Sequence, residues 1–313
     1  MKTQKTFSSI AYEWLESKRK TVRAASFAAY ATILNMNVIP ILGDLQEVTE
    51  ADVRSMMDKL QESGTVPSSL RNYVMVVKNV LKYGADKGYC QFPGWNISLP
   101  SNGASRRKGL ILLSEREEKK LIKYLVENPS PRNIGYLLLL TTGIKAGELF
   151  ALKWSAIDLE KGYLNVVDSQ YQFYMPDEGS GKGKMKNTEN PDVRVRRIPL
   201  PEKLVTFLRS FATKANPNAY VVTGSTVFLQ RPKTIRDTLA VISKNLSIPI
   251  VSPQDLRHTF AVRCIQSGCD LVTLMSLMGV SEAGPLYSLY EPYFKTYPKD
   301  AMTARMAKVV LPE

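Results

Sequence analysis

The chain has 313 residues, with 42 lysines and arginines against 29 acidic residues, which gives a formal net charge of +13. Its length suits two domains, and a hydrophobic content of 44% is ample for buried cores. No apolar run approaches the roughly 18 residues of a membrane span, and no signal-peptide stretch follows Met1. We therefore expect a soluble, cytoplasmic protein that does not contact a membrane.

Cysteine and histidine are scarce. The three cysteines, Cys90, Cys264 and Cys269, are too few and too scattered for a disulfide framework, as expected in a reducing compartment. A single histidine, His258, argues against a zinc site, so we expect no metal ion. The positive charge is typical of a protein that binds nucleic acid, and a merely solubilising surface is the alternative.

Residues 1–100 have the pattern of a helical domain. The spacing of apolar residues and the capping signals predict four helices there, over residues 7–20, 24–38, 49–60 and 67–87. Pro40 and Gly43 are expected to end the second helical region.

The fourth of these helices has a polar face without an acidic residue. Its buried stripe is formed by Leu70, Val74, Val77, Leu81 and Ala85. The opposite side carries Arg71, Asn72, Lys78, Asn79 and Lys82. We expect this face, through Arg71, Asn72, Lys78 and Lys82, to bind DNA; a solvated face is the alternative.

A basic linker is predicted over residues 101–109, where apolar periodicity is lost. It contains three further candidate DNA contacts, Arg106, Arg107 and Lys108. The net charge is +6 for residues 1–109 and +7 for the remainder, so neither part alone carries the excess. We expect both parts to face the same polyanion.

Residues 110–313 are expected to form a second, mainly α-helical domain with a small β-sheet. Helices are predicted over 114–127 and 134–141, and strands over 163–167 and 193–198. A polar insert over 177–192 separates the strands and contains Lys184 and Lys186. Helices dominate the rest, including a C-terminal tail over 299–310.

Several stretches, in their order and spacing, resemble the tyrosine recombinases, the phage integrase family. Residues 142–149 resemble the first motif of the family, 253–261 the second, and 277–281, followed by Tyr290, the third. The first domain is similar to the helical core-binding (SAM-like) domain of the family. Residues 110–313 resemble its catalytic-type domain.

The resemblance implies a particular chemistry. A tyrosine hydroxyl attacks the scissile phosphate, forms a 3′-phosphotyrosine and frees a 5′-hydroxyl, so no cofactor is required. Two arginines hold the non-bridging oxygens. A lysine on a β-hairpin protonates the leaving oxygen, and histidines at two further positions assist.

The family positions are only partly matched. Arg257 occupies the second arginine position, Tyr290 stands close to the expected place of the nucleophile, and Tyr287 and Tyr293 are neighbouring alternatives. Lys145 replaces the first arginine, and Gln254 and Val280 replace the histidine-type residues. Lys184 and Lys186 both fit the hairpin lysine. DNA contact is expected from both, and also from Arg257 and His258.

Three altered positions around one phosphate predict a loss of at least roughly 10⁴ in cleavage rate. The leading hypothesis is therefore a sequence-specific protein that binds double-stranded DNA without cleaving it and regulates transcription, as a phage or mobile-element repressor does. The alternative is an active but divergent integrase that uses a phosphotyrosine intermediate. A protein-interaction scaffold is a third class.

The resemblance also bears on partners. In the family, a C-terminal tail often docks onto a neighbouring protomer, so residues 299–310 either join protomers into a homo-oligomer on DNA or fold back on their own domain. The sequence leaves open a small protein or peptide modulator. It is compatible with a bacterial or phage-encoded protein.

Overall fold

A computed structural model describes residues 5–22, 24–92, 94–95, 97, 110–176, 183–189, 193–227 and 231–294; the side chains of 24–25, 171–176 and 183–189 are outside this description. The chain divides into two units. One contains residues 1–109 with 171–188, and the other contains residues 110–170 with 189–313.

The first unit is built from five helices among its described residues. They are α1 (Phe7–Lys18), α2 (Ala24–Ile33), α3 (Ile39–Leu42), α4 (Glu50–Glu62) and α5 (Pro67–Asp86). A π-helical turn over Leu34–Val38 joins α2 to α3. The core buries one apolar face from each of the longer helices, including Phe7, Ile10, Trp14, Val53, Met56, Val77 and Val80.

Two predictions for this unit need correction. The helix from Phe7 ends at Lys18, two residues before the predicted end. Pro40 does not stop the second helical region, because it lies in the first turn of α3, where a missing N–H leaves no hydrogen bond unmade. The helix then ends at Gly43, whose N–H donates to the carbonyl oxygen of Ile39 (2.8 Å).

Eight helices are described in the second unit. They are α6 (Glu115–Glu127), α7 (Pro131–Thr142), α8 (Ala146–Ala151), α9 (Glu202–Ala212), α10 (Pro232–Asn245), α11 (Pro253–Gln266), α12 (Leu271–Met278) and α13 (Ala283–Tyr290). Short 3-10 turns occur at Trp154–Ala156 and Glu291–Tyr293. The helix α7, buried over Asn133–Leu140, packs against α11.

The described strands form two small sheets. The first is antiparallel, in the order β1 (Ile157–Asp158), β2 (Tyr163–Val166) and β5 (Arg196–Pro199). Leu164 pairs with Ile198, and both are buried. The second sheet pairs β3 (Gln170–Pro176) with β4 (Gly183–Glu189).

The strand pattern differs from the prediction in several places. The sequence predicts neither the two-residue strand β1 nor the seven-residue strand β3. The strand expected over 193–198 begins only at Arg196, because pairing with Val166 starts there. Seven residues of the polar insert form β4, which the sequence does not predict because these residues lack apolar alternation.

The architecture confirms the predicted fold class, mainly α-helical with a small β-sheet. Within the described ranges, no helix is long and apolar enough to cross a membrane. The linker over 101–109 and the tail over 299–310 lie outside the described residues.

Candidate active site

The second motif opens α11, and a capping box fixes where this helix starts. The Ser252 hydroxyl accepts from the Asp255 N–H (3.3 Å), and the Asp255 carboxylate accepts from the Ser252 N–H (2.8 Å). Gln254 is therefore exposed on the first turn, and Arg257 and His258 follow on the buried side.

Arg257 joins the three motifs through its guanidinium group. One terminal nitrogen donates to the Gly143 carbonyl oxygen at 2.5 Å, and the other donates to that of Met278 at 2.8 Å. Burial lowers the pKa of Arg257 and the Glu148 carboxylate opposes this effect, but an arginine side chain stays charged in proteins. With five N–H donors, the group has capacity for a phosphate beyond these two carbonyls.

Tyr290 closes this site at the end of α13. It is fully buried, and its hydroxyl oxygen lies 2.7 Å from His258 Nδ1. Burial raises the pKa of Tyr290 to about 12, against the opposing effect of the Arg257 charge. Tyr287 is instead exposed and stacks on Phe294, with ring centroids 5.6 Å apart.

The imidazole of His258 has a partner on each side. Its Nε2 lies 3.2 Å from the side-chain nitrogen of Gln254, opposite the contact with Tyr290. Burial lowers the pKa of His258, the nearby Asp255 raises it, and Arg257 lowers it. The ring is consequently neutral at neutral pH, with one donor and one acceptor nitrogen.

Lys145 precedes α8 and links the first motif to the third. Its ammonium donates to the Gly279 carbonyl oxygen at 3.2 Å and lies 3.9 Å from Glu148 Oε1. Because the side chain is 49% exposed, this ammonium is also accessible to an anion from solvent. Val280 is half-buried against the cluster containing Leu274 and Tyr290, so it contributes packing.

Glu148 and Arg196 are buried residues of this region that the sequence analysis missed as site residues. Glu148 Oε2 accepts from the Lys145 backbone N–H at 2.8 Å, and both of its carboxylate oxygens accept from the Arg196 guanidinium. The available signal was Glu148 at the third position of a short helix, where capping boxes place an acid.

The predicted DNA contacts of the first unit lie along α5. Arg71, Asn72 and Lys82 are exposed. Lys78 is half-buried, and its ammonium donates to the Trp95 carbonyl oxygen at 2.7 Å. The predicted DNA contacts Arg106, Arg107 and Lys108 lie outside the described residues, as do the side chains of Lys184 and Lys186 on β4.

The described part of the chain holds no group of three or more histidine, cysteine, aspartate and glutamate side chains arranged to bind a metal ion. The site brings together the cations of Arg257 and Lys145, the buried Glu148 carboxylate, one imidazole and one buried phenol. Such a set can bind a phosphodiester and can supply an oxygen nucleophile.

Models of known protein families match residues in both units. Residues 112–290 match the model of the phage integrase family, and residues 6–61 match that of the phage integrase N-terminal SAM-like domain. The chain is 24% identical over 314 residues to the tyrosine recombinase XerC-like protein of Caldanaerobacter subterraneus subsp. tengcongensis, covering 91% of this chain and 78% of the relative. It is 26% identical over 284 residues to tyrosine recombinase XerA of Pyrococcus furiosus, covering 84% and 87%.

Solved structures share the fold. The integrase of the Tn1549 transposon, in complex with a circular intermediate DNA, matches with a TM-score of 0.71 at 16% identity, over 97% of this chain and 100% of the other. A lambda integrase dimer bound to a COC′ core site matches with a TM-score of 0.63 at 14% identity, over 94% and 79%. With more than half of its residues inside the family model, the chain belongs to the phage integrase family, the tyrosine recombinases.

Proposed function

We propose that this protein is a site-specific recombinase that cleaves and rejoins double-stranded DNA through a phosphotyrosine at Tyr290. One observation carries the proposal. The hydroxyl of Tyr290 is hydrogen-bonded to His258, and the Arg257 charge is close enough to oppose the rise in the pKa of Tyr290, so a potential nucleophile and an anion-binding guanidinium lie close together.

The roles follow from chemistry at a phosphate. Arg257 binds a non-bridging oxygen, and its carbonyl contacts with Gly143 and Met278 hold it in place. Lys145 supplies a second positive charge, as a point charge without the planar fork of an arginine. Lys184 or Lys186 protonates the leaving 5′-oxygen.

DNA binding rests on charge carried by both parts of the chain. The exposed Arg71, Asn72 and Lys82 on α5 and the cations of the 101–109 linker contact phosphates, which makes affinity salt-dependent. The comparison structures of Tn1549 and lambda integrase, both solved with DNA, support this placement in the same fold. The C-terminal tail remains a candidate contact between protomers, and a peptide modulator remains a prediction.

A regulator that binds DNA without cleaving it is the second candidate. The replacements at Lys145, Gln254 and Val280 favour it, because Gln254 is neutral and Val280 offers a phosphate no hydrogen bond. The relatives are named recombinases, and these names favour cleavage over the repressor function expected from the sequence.

A suicide substrate separates the two functions. Bound sites are first selected from genomic fragments, and a duplex nicked near the selected site then traps a covalent adduct. We expect an adduct with the unmodified protein and with the matched control Tyr287→Phe, and its loss in Tyr290→Phe. DNA binding without an adduct in the unmodified protein would instead establish the non-cleaving regulator.

A further inference from the structure

We infer that His258 is the proton acceptor for Tyr290, and that the side-chain amide of Gln254 supports the imidazole tautomer that makes this transfer possible. The inference rests on the proposed recombinase function and adds a catalytic residue to it. In this chain the histidine-type positions of the family hold Gln254 and Val280, so the one remaining imidazole stands directly against the nucleophile.

The geometry meets the requirement for a direct proton transfer. His258 Nδ1 and the Tyr290 oxygen are 2.7 Å apart, within the range for a general base and its substrate proton. Tyr290 is fully buried, and His258 is 8% exposed. A buried hydroxyl proton requires an acceptor, and Nδ1 is the acceptor in contact with it.

Gln254 can serve either tautomer of the imidazole. Its side-chain amide can turn either its oxygen or its nitrogen toward His258 Nε2, since the two amide ends have the same shape. With the oxygen inward, Nε2–H donates to Gln254 and Nδ1 presents a lone pair to Tyr290. A glutamine thus lets the neighbouring histidine act as a base.

Burial favours the unprotonated form of this base. Burial, and more weakly the Arg257 charge, lower the pKa of His258, and Asp255 on the same helix partly offsets them. Tyr290 from α13 faces the ring, while Glu148 and Arg196 act on the adjacent Arg257.

The step balances without a further reactant. The Tyr290 O–H bond breaks, its proton moves to His258 Nδ1, and the tyrosine oxygen forms a bond to phosphorus. The bond from phosphorus to the 5′-oxygen breaks, and that oxygen keeps the electron pair and takes a proton from the hairpin lysine. When the strand is rejoined, the 5′-hydroxyl gives its proton back to the hairpin lysine and its oxygen bonds to phosphorus. The bond from phosphorus to the tyrosine oxygen breaks, and the imidazolium returns its proton to Tyr290.

One experiment tests the hydrogen bond independently of cleavage. Because His258 is the only histidine, protein labelled with ¹⁵N-histidine gives one pair of ring-nitrogen resonances. At pH 7 we expect a protonated Nε2 and an unprotonated Nδ1, with the Nδ1 resonance shifted in Tyr290→Phe. A protonated Nδ1, or resonances that Tyr290→Phe leaves unchanged, would overturn the inference.

A second experiment tests catalysis on the suicide substrate. We expect the rate of adduct formation to rise with pH through the pKa of His258, and His258→Asn to lower the plateau by roughly 10²–10⁴. Gln254→Glu should move the midpoint upward, because a carboxylate facing Nε2 stabilises the imidazolium. Near-UV circular dichroism and DNA affinity check that each variant is folded.

The outcomes of these experiments distinguish the role of His258 from the recombinase function itself. An unchanged rate and pH profile in folded His258→Asn, with an adduct still on Tyr290, would overturn the role of His258 and leave the recombinase function standing. Absence of an adduct in the unmodified protein would overturn both, whatever tautomer the resonances report.

Discussion

Glu148 and Arg196 form a two-pronged ion pair inside the second unit. The carboxylate oxygens accept from the two terminal guanidinium nitrogens at 2.9 and 2.8 Å, and the side chains are only 1% and 6% exposed. The same arginine donates through Nε to the Leu277 carbonyl oxygen at 2.8 Å. The pair therefore connects the first motif to the end of α12, where the third motif begins.

Breaking this ion pair on one side should strongly destabilise the protein. Arg196→Met removes both guanidinium hydrogen bonds from the buried Glu148 carboxylate, which keeps the Lys145 backbone N–H and has the Lys145 ammonium 3.9 Å away. We expect the free energy of unfolding to fall by about 3–5 kcal/mol. Guanidinium denaturation measures the change. The exposed pair Lys123–Glu127 is the control, and Lys123→Met there should cost less than about 0.5 kcal/mol. A similar cost at both sites would contradict the prediction.

Gly279 should not tolerate a side chain. Its φ is 61°, in the left-handed region, and an added Cβ would lie 2.5 Å from a terminal nitrogen of Arg196, which Glu148 holds in place. We expect Gly279→Ala to lower stability by about 2–5 kcal/mol. Gly268→Ala is the matched control, because φ is 91° there and nothing lies within 4 Å of the added Cβ. Equal losses of thermal stability in the two variants would show that the contact with Arg196 carries no cost.

Restoring an arginine at position 145 should improve cleavage. A guanidinium can donate two parallel hydrogen bonds to a phosphate, which the Lys145 ammonium cannot. We expect Lys145→Arg to raise the rate of adduct formation on the suicide substrate by roughly 10–10²-fold, and Lys145→Met to lower it. If neither substitution changed the rate of adduct formation, Lys145 would have no role at the reacting phosphate.

Stability should fall in mild acid because of His258. Its pKa in the folded protein is lowered from the ordinary value of 6.5, so as the pH falls the unfolded chain takes up this proton before the folded protein does. The stabilising contribution of the neutral ring is fully present above pH 6.5 and is lost as the pH falls through the folded pKa. The measurement is the free energy of unfolding by urea between pH 7.5 and 5.5.

The matched comparison for this pH effect is His258→Asn, which should flatten the curve over that interval. No other histidine titrates there, since the chain has only one. If the free energy of unfolding of His258→Asn still fell between pH 7.5 and 5.5, other titrating groups would be responsible for the effect.

The sequence by itself determined the family and most of the helices. Apolar spacing and capping signals depend only on neighbours along the chain, so α4 and α6 were predictable from Thr49 and Ser114. The motif positions of Lys145, Gln254, Arg257 and Val280 were likewise readable, because they depend on order and spacing.

Tertiary structure alone decided what these side chains contact. Glu148 and Arg196 are 48 positions apart, and Tyr290 is 32 positions from His258, so no local pattern predicts either pairing. From the sequence, the single histidine argued only against a zinc site. The fold places that histidine against the Tyr290 hydroxyl, and because Tyr290 is buried its proton depends on a neighbouring side chain.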